Sequence, residues 1–362
     1  MSLMRDILLL GAGKIGSVIA QWLAGSGDYR VCLADLDEER LQRCVTGNGV
    51  DTLVLDVTDA AALQSAMTGK FAVLSACPFH ITRYIARGAL EAGIHYLDLT
   101  EDVETTRLVR ELAGDSRSAF IPQCGLAPGF ISIAAWDLAR GFERLHNVNL
   151  RVGALPKYPS NGLKYNLTWS TAGLINEYCN PCEAIVEGER IQVLPLEELE
   201  RFSLDGIEYE AFNTSGGLGT LCDSLEGEVG NLNYRSVRYP GHRDIMKILL
   251  QDLRLRDRQA LLTEIFDSAL PVTYQDVVLI FINVSGMREG QLVQETYANK
   301  IYSREIDGHL RSAIQITTAA GICTVLDLLA QGKLPQQGFV RQEDVSFADF
   351  IDNRFGRAYR LA

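Results

Sequence analysis

The chain is poor in positive charge: 34 lysines and arginines stand against 46 aspartates and glutamates in 362 residues, a formal net charge of −12. That balance argues against nucleic acid or an anionic membrane surface as a partner, because both need a basic patch. Histidine is scarce, with five in all and no HxxxH or HxH pair, and the CxxC stretch Cys179-Asn180-Pro181-Cys182 has no second pair to complete four ligands. No metal is therefore expected. Eight cysteines spread over so long a chain read as reduced thiols and not as a disulfide framework. No apolar run approaches the roughly 18 residues of a membrane span, and the N-terminus enters a strand almost at once, leaving no room for a signal peptide. A cytoplasmic protein whose ligands are small molecules is the expectation.

What the chain does have is a hydrophobic share of 47% and a marked opening segment. Asp6-Ile7-Leu8-Leu9-Leu10 reads as a buried strand running into Gly11-Ala12-Gly13-Lys14-Ile15-Gly16, and a second apolar run, Arg30-Val31-Cys32-Leu33-Ala34, ends at Asp35. In a G-x-G-x-x-G turn the first glycine allows the tight bend, the second lets backbone approach a pyrophosphate, and the third lets the helix pack against the sheet. The helix N-terminus then favours negative charge. Asp35 stands at the interval expected of an acid that accepts from a ribose 2′-hydroxyl and repels a 2′-phosphate. Together these features predict a nicotinamide dinucleotide, NAD in preference to NADP. Arg40 is the residue able to swing toward a 2′-phosphate, although its placement after Asp37 fits a solvated helix face.

The alternation continues with strands at 52–55, 71–75, 96–99 and 119–121 and helices at 59–67, 81–92 and 103–112. Such alternation predicts an α/β fold, a doubly wound parallel sheet of Rossmann type over residues 1–125. Glycine and proline in Gln123-Cys124-Gly125-Leu126-Ala127-Pro128-Gly129-Phe130 interrupt the rhythm. Beyond it, strands at 148–152, 209–212, 233–238 and 277–284 and helices at 136–141 and 243–250 predict an α+β domain over 126–311 with a largely antiparallel sheet, able to bind a substrate on an open face. The apolar stretch 313–329 reads as a helix, and about 312–362 is expected to complete the first domain.

Five segments in this order, Gly11 to Gly16, Gly125-Leu126-Ala127-Pro128-Gly129, Tyr165-Asn166-Leu167-Thr168-Trp169-Ser170, Glu210 to Gly217 and Arg238-Tyr239-Pro240-Gly241-His242, resemble the saccharopine dehydrogenase-like family over nearly the whole chain. The resemblance implies a Rossmann domain completed by the C-terminal segment, a second domain that closes over an amino-acid substrate, NAD(P)-dependent oxidation at a C–N bond, and a homodimer. Ala127, where glutamate-releasing members typically carry aspartate, resembles the lysine 6-dehydrogenase branch, whereas Cys124 resembles the cysteine of saccharopine reductases. Oxidative deamination of L-lysine is the leading expectation and saccharopine oxidation the alternative, for which Lys157, Lys164, Arg235 and Arg243 are the available cations. A non-catalytic NAD-sensing regulator is the alternative from another class. The resemblance also places Asp56, Ala76 and Pro78 on the cofactor edge, with Pro78 bordering the nicotinamide ribose.

Amine oxidation needs a base, because a lysine-type ammonium has a solution pKa of about 10.4 and the lone pair must be free to assist hydride departure. His242 is the leading acid/base candidate, since imidazole titrates near neutrality and it follows the Pro240-Gly241 turn; a structural histidine is the alternative. Asp98, ending the fifth parallel strand, is expected at the ligand crevice, with Glu101 and Asp102 just downstream as further acids or as a helix cap. Cys124 is a candidate contact to nicotinamide or substrate, or else a small buried residue. Arg238 offers fork geometry to a substrate carboxylate, and Tyr165, Asn166 and Trp169 are candidate pocket lining. Thr214, Ser215, Gly216 and Gly217 form either an anion-binding nest or a plain turn.

Overall fold

The computed structural model describes residues 4–44, 49–306 and 308–361. Two compact units emerge, Met1–Phe130 with Thr318–Arg360 and Ile131–Thr317. In the first, strands and helices alternate as β1 (Arg5–Leu10), α1 (Gly16–Gly25), β2 (Tyr29–Asp35), α2 (Glu38–Cys44), β3 (Val50–Val54), α3 (Ala60–Met67), β4 (Ala72–Ser75), α4 (Phe79–Ala92), β5 (His95–Asp98), α5 (Val103–Ala113) and β6 (Ala119–Ile121). Ile7, Leu8, Leu9 and Leu10 are completely buried, the pattern of a strand covered on both faces. Their apolar run is what places β1 centrally.

The sheet order is β17-β6-β5-β4-β1-β2-β3, where β17 (Gly338–Phe339) comes from the C-terminal segment and pairs parallel to β6. Because β1 lies between β2 and β4, the winding direction reverses beside it. Ligands of doubly wound sheets bind beyond the strand C-termini at that reversal, and there the Gly11–Gly16 turn and the Ala76–Pro78 segment meet. The Ala76 N–H donates to Leu10 O at 2.8 Å.

The second unit contains α6 (Phe130–Ala139), β7 (Arg144–Pro156), α7 (Thr171–Cys179), β8 (Cys182–Val186), β9 (Glu189–Val193), β10 (Glu200–Leu204), β11 (Ile207–Asn213), α8 (Leu221–Leu225), β12 (Val229–Arg238), α9 (His242–Lys247), α10 (Gln259–Ala269), β13 (Asp276–Arg288) and β14 (Gln291–Tyr302). Its eight-stranded sheet runs β10-β11-β12-β7-β13-β14, with β8 pairing both β12 and β9. Only β12 and β7 pair in parallel; the sheet is otherwise antiparallel.

Three hairpins here go unmentioned by the sequence patterns above. Each turns on a residue–glycine pair with positive φ at both positions: Glu187-Gly188 (52°, 87°), Asp205-Gly206 (53°, 76°) and Glu289-Gly290 (51°, 73°). Mirror-image two-residue turns match the strand twist and require those angles. A correction concerns apolar length: β15 (Arg304–Ile306) and β16 (His309–Arg311) lead into α11 (Ala313–Ala330), which is long and apolar enough to cross a membrane. Gln315, Thr317 and Asp327 break the apolar run in the sequence while leaving its average hydropathy high. Eighty-nine percent of it is buried inside the protein, as in a core helix. A short α12 (Phe347–Asp352) follows β17.

Candidate functional site

At the dinucleotide edge each glycine has a separate reason. Gly11 has φ +101°, and a Cβ there would lie 2.7 Å from Ala76 O; a Cβ on Gly16 would lie 1.8 Å from Gly11 O. Both are glycine because the fold itself leaves no room. Gly13 differs, since a Cβ there would meet nothing within 4 Å. The fold leaves that space open, as a pyrophosphate approaching bare backbone requires. Lys14 is exposed and half-buried Ile15 leads into α1.

Asp35 sits where the spacing put it. Its Oδ2 accepts from the Ala12 N–H at 2.7 Å and its Oδ1 from the Asp37 N–H at 2.9 Å, which locks the carboxylate beside the glycine turn. Lone pairs remain for a ribose hydroxyl. Arg40 is exposed and ion-paired to Asp37 at 3.1 Å. Asp56 is exposed beyond β3, and its Oδ1 accepts from the Thr58 N–H at 2.8 Å and hydroxyl at 2.7 Å.

A buried polar cluster closes the β5–β6 end of this edge. Asp98 accepts from the Tyr96 hydroxyl at 2.6 Å, the Gln123 N–H at 2.8 Å and the Thr100 N–H at 3.0 Å. Burial pushes its carboxyl up to about 6 despite those three donors. Half-buried Glu101 is pushed up to about 7, by burial first and then by the neighbouring carboxylates Asp102 and Asp98. Asp102 itself caps α5 through the Thr105 N–H at 2.8 Å. Buried Cys124 donates from Sγ to Ile121 O at 3.0 Å, and burial holds its thiol protonated, well above the ordinary range. Gln342 Nε2 donates to Pro122 O at 2.8 Å and approaches Cys124 Sγ at 3.4 Å. In the turn that follows, Ala127–Pro128 is cis, and a Cβ on Gly129 (φ +132°) would lie 2.1 Å from Gly125 O, so this bend demands glycine.

The second unit assembles a different constellation around β12. Arg238 is 4% exposed, and its Nε donates to Tyr178 Oη at 2.8 Å while its Nη1 donates to Val237 O at 2.8 Å. Its guanidinium also lies over the Tyr165 and Tyr178 rings, at 5.4 and 5.8 Å. None of these contacts is an anion. Tyr178 and His242 Nε2 are 3.1 Å apart, and His242 Nδ1 is 2.9 Å from Leu163 O. A carbonyl can only accept, so Nδ1 carries the proton and Nε2 accepts from the Tyr178 hydroxyl. Burial, then the Arg238 charge, lowers the His242 pKa to about 3, so the imidazole is neutral. The result is a directed chain from Arg238 through Tyr178 and His242 to Leu163.

Glu210, fully buried on β11, positions the start of α9 by accepting from the Gly241 N–H at 2.8 Å and the Arg243 N–H at 2.7 Å. Tyr178 was not singled out in the sequence and Glu210 entered only as the first residue of a matching segment, since nothing local ties them to Arg238 or His242. Trp169 Nε1 donates to Tyr165 Oη at 3.1 Å, and Asn161 bridges Tyr165 O at 2.7 Å and Asn166 Oδ1 at 3.2 Å. Thr214 and Ser215 are buried with their hydroxyls engaged, Thr214 with Ser236 at 2.8 Å and Ser215 with Pro181 O at 2.9 Å. The Ser215 N–H donates to Glu177 O at 3.0 Å, so these donors serve the fold; Gly216 (φ +86°) turns the chain after them.

Residues 7–120 match the saccharopine dehydrogenase NADP binding domain and residues 125–353 the saccharopine dehydrogenase C-terminal domain. The L-glutamate-forming, NADP(+) saccharopine dehydrogenase of Saccharomyces cerevisiae is 24% identical over 305 residues, 80% of this chain and 66% of that protein. The mitochondrial alpha-aminoadipic semialdehyde synthase of Mus musculus is 20% identical over 200 residues, 53% of this chain but 22% of its own length. A solved apo structure of the yeast L-Glu-forming enzyme superposes with a TM-score of 0.79 at 16% identity, covering 96% of both chains, which shows a shared fold. With both family domains matched in order across nearly its full length, the chain belongs to the saccharopine dehydrogenase family.

Proposed function

We propose that the protein is an NAD-dependent dehydrogenase that oxidises the C–N bond of an amino-acid substrate, with L-lysine as the preferred one. The observation that carries this reading is Arg238, a buried guanidinium that hydrogen-bonds a phenol and a carbonyl, lies over two aromatic faces, and has its charge supported from nearby by the Glu177 carboxylate. A guanidinium carries five N–H donors in a fork, so one with two of them engaged by neutral groups suits a substrate carboxylate. Asp35 beside the glycine turn supports NAD over NADP, because it accepts from a 2′-hydroxyl and repels a 2′-phosphate.

When bound, the dinucleotide supplies the hydride acceptor. Of the chain's two carboxyls that burial raises, Glu101, pushed up to about 7, suits removal of the ammonium proton, while Asp98 already accepts three hydrogen bonds and holds the surrounding backbone. The neutral amine then loses hydride from its carbon, and water hydrolyses the resulting iminium to an aldehyde and ammonium. His242 and Cys124 act in this reading as positioning groups, since both ring nitrogens of the first and the thiol proton of the second are already engaged.

Three of the four cations that a multi-carboxylate substrate would call on are committed inside the protein. Arg235 pairs with Glu198 and Glu200, Arg243 pairs with Glu197 and Asp244, and Lys164 donates to Pro240 O at 2.9 Å. That favours one carboxylate, as in lysine. The second reading is saccharopine oxidation, favoured by the printed names of the relatives. Reduced-nicotinamide absorbance with L-lysine or L-saccharopine, each with NAD and NADP, separates the two: turnover of saccharopine alone overturns the lysine reading, and faster turnover with NADP overturns the role given to Asp35.

A further inference from the structure

On the sheet face opposite Arg238, the second unit carries a side-chain pattern that the reaction above does not use. Along β12, Leu232, Tyr234, Ser236 and Arg238 are buried on one face, while Asn231, Asn233 and Arg235 alternate onto the other. Register then places Asn231 beside Asn147 and Asn233 beside Asn149 on parallel β7. The four amides are ordered by one another. Asn231 Nδ2 donates to Asn147 Oδ1 at 2.9 Å, Asn233 Nδ2 to Asn149 Oδ1 at 2.8 Å, and Asn147 Nδ2 to Ser285 Oγ at 3.0 Å.

This amide square, with Asn213, floors a cavity of about 230 Å³. The β8–β9 hairpin supplies an apolar wall through Ala184, Val186 and Val193, which share a face by register, and Glu198 stands at the edge. Glu198 has φ +53° and its neighbour Leu196 φ +64°, unusual for non-glycine residues and common at ligand clamps. We propose that this cavity is a binding site for a neutral polyhydroxylated molecule the size of one sugar ring.

Charge selects the ligand class. The residues lining the cavity include no lysine, arginine or histidine, and the two arginines that reach its floor, Arg151 on Asn233 Oδ1 at 2.6 Å and Arg235 on Asn213 Oδ1 at 3.4 Å, are paired with Glu200 and Glu198, so no unbalanced cation attracts an anion. Its two acids are already paired, Glu183 with Arg190 at 2.7 Å and Glu198 with Arg235 at 2.5 Å, so nothing calls for a cation. What remains is amide capacity. Each amide nitrogen carries two hydrogens; Asn231 and Asn233 each direct one within the square and Asn147 directs one to Ser285, while Asn149 Nδ2 donates to no described residue. Donors alternating with carbonyl oxygens suit adjacent hydroxyls, which both give and accept. The wall of Ala184, Val186 and Val193 matches the C–H face of a ring.

The test uses the full chain, with ligand-observed NMR and calorimetry against glucose, galactose and myo-inositol, and with cadaverine and inorganic phosphate as charged probes. Asn149→Leu removes the free amide, and Val193→Trp fills the cavity from its wall without touching the amide square. The expected result is saturable binding of at least one polyol, weakened roughly tenfold or more in both variants, with the thermal midpoint of the free protein little changed in Val193→Trp and lowered in Asn149→Leu, which leaves the Asn233 amide without its acceptor. The proposal is overturned if no polyol binds saturably, if a polyol binds both variants as well as it binds the parent, or if only a charged probe binds.

Discussion

Arg238→Met puts the carboxylate-receptor reading at risk most directly. In the free protein the change removes two hydrogen bonds, to Tyr178 Oη and Val237 O, together with a buried cation that the nearby Glu177 carboxylate supports. Hydrogen bonds to charged groups contribute about 1.5–3 kcal/mol each, and desolvation of the guanidinium opposes them, so stability should change by no more than about 2 kcal/mol. Tyr178 keeps its bond to His242 in the variant. Binding is affected far more. Truncating one partner of a buried, hydrogen-bonded charge pair costs about 2–5 kcal/mol, or roughly 30-fold to several thousand-fold in kcat/KM. The assay compares L-lysine with cadaverine, which is lysine without its carboxylate. Lysine turnover should fall by that factor, while turnover of cadaverine and affinity for the dinucleotide stay near the parent values. Equal losses on both amines, or no loss on either, refute the assignment. Tyr178→Phe is the milder companion: it leaves the charge but removes the group that aims it, so KM for lysine should rise about tenfold with kcat little changed.

Other consequences are checked as directly. Gly13→Ala should fold with an unchanged melting midpoint yet bind NAD at least about tenfold more weakly by calorimetry, whereas Gly16→Ala, whose Cβ would lie 1.8 Å from Gly11 O, should lose stability as well. For Asp98, whose carboxyl is raised to about 6, the folded state prefers the protonated form. Its stabilising contribution is therefore complete below the ordinary carboxylate range and lost as pH rises through about 6. Asp98→Asn keeps an oxygen for the Gln123 and Thr100 N–H groups, so its melting midpoint should gain on the parent at pH 8 and not at pH 4; a gap that ignores pH counts against this account. Asp327 is 3% exposed and accepts from Tyr29 at 2.6 Å, Asn353 at 2.7 Å, Arg354 at 2.7 Å and Gln331 at 2.9 Å. Asp327→Ala should cost about 3 kcal/mol or more in urea unfolding, because it strands those donors.

Much of the first unit is legible in order along the chain. A four-residue apolar run, a glycine turn and an acid at the end of the next strand are local features, and the Rossmann half is built from such units. The second unit is less so. Its Glu187-Gly188, Asp205-Gly206 and Glu289-Gly290 turns were present as dipeptides and still passed unread, since one strand of each hairpin, β9, β10 or β14, is half exposed and lacks a strong apolar run. Helix α7 was missed as well, although it carries Tyr178.

The candidate residues divide along the same line. Spacing alone placed Asp35 beside the glycine turn, because register in a βαβ unit is set by neighbouring elements. Sequence could name Arg238 and His242 but not their states. Arg238 is buried among two phenols and a backbone carbonyl, with the Glu177 carboxylate acting on its charge from nearby. His242 becomes a neutral acceptor because burial and that same guanidinium hold its pKa near 3. Tyr178, 60 positions from Arg238 in the chain, joins them only through α7 and β12 of the folded unit. Fold class and the dinucleotide turn follow from local pattern and chirality, which the chain carries residue by residue. Protonation, pairing and the identity of a binding group depend on what burial brings alongside, and that exists only once distant segments have met.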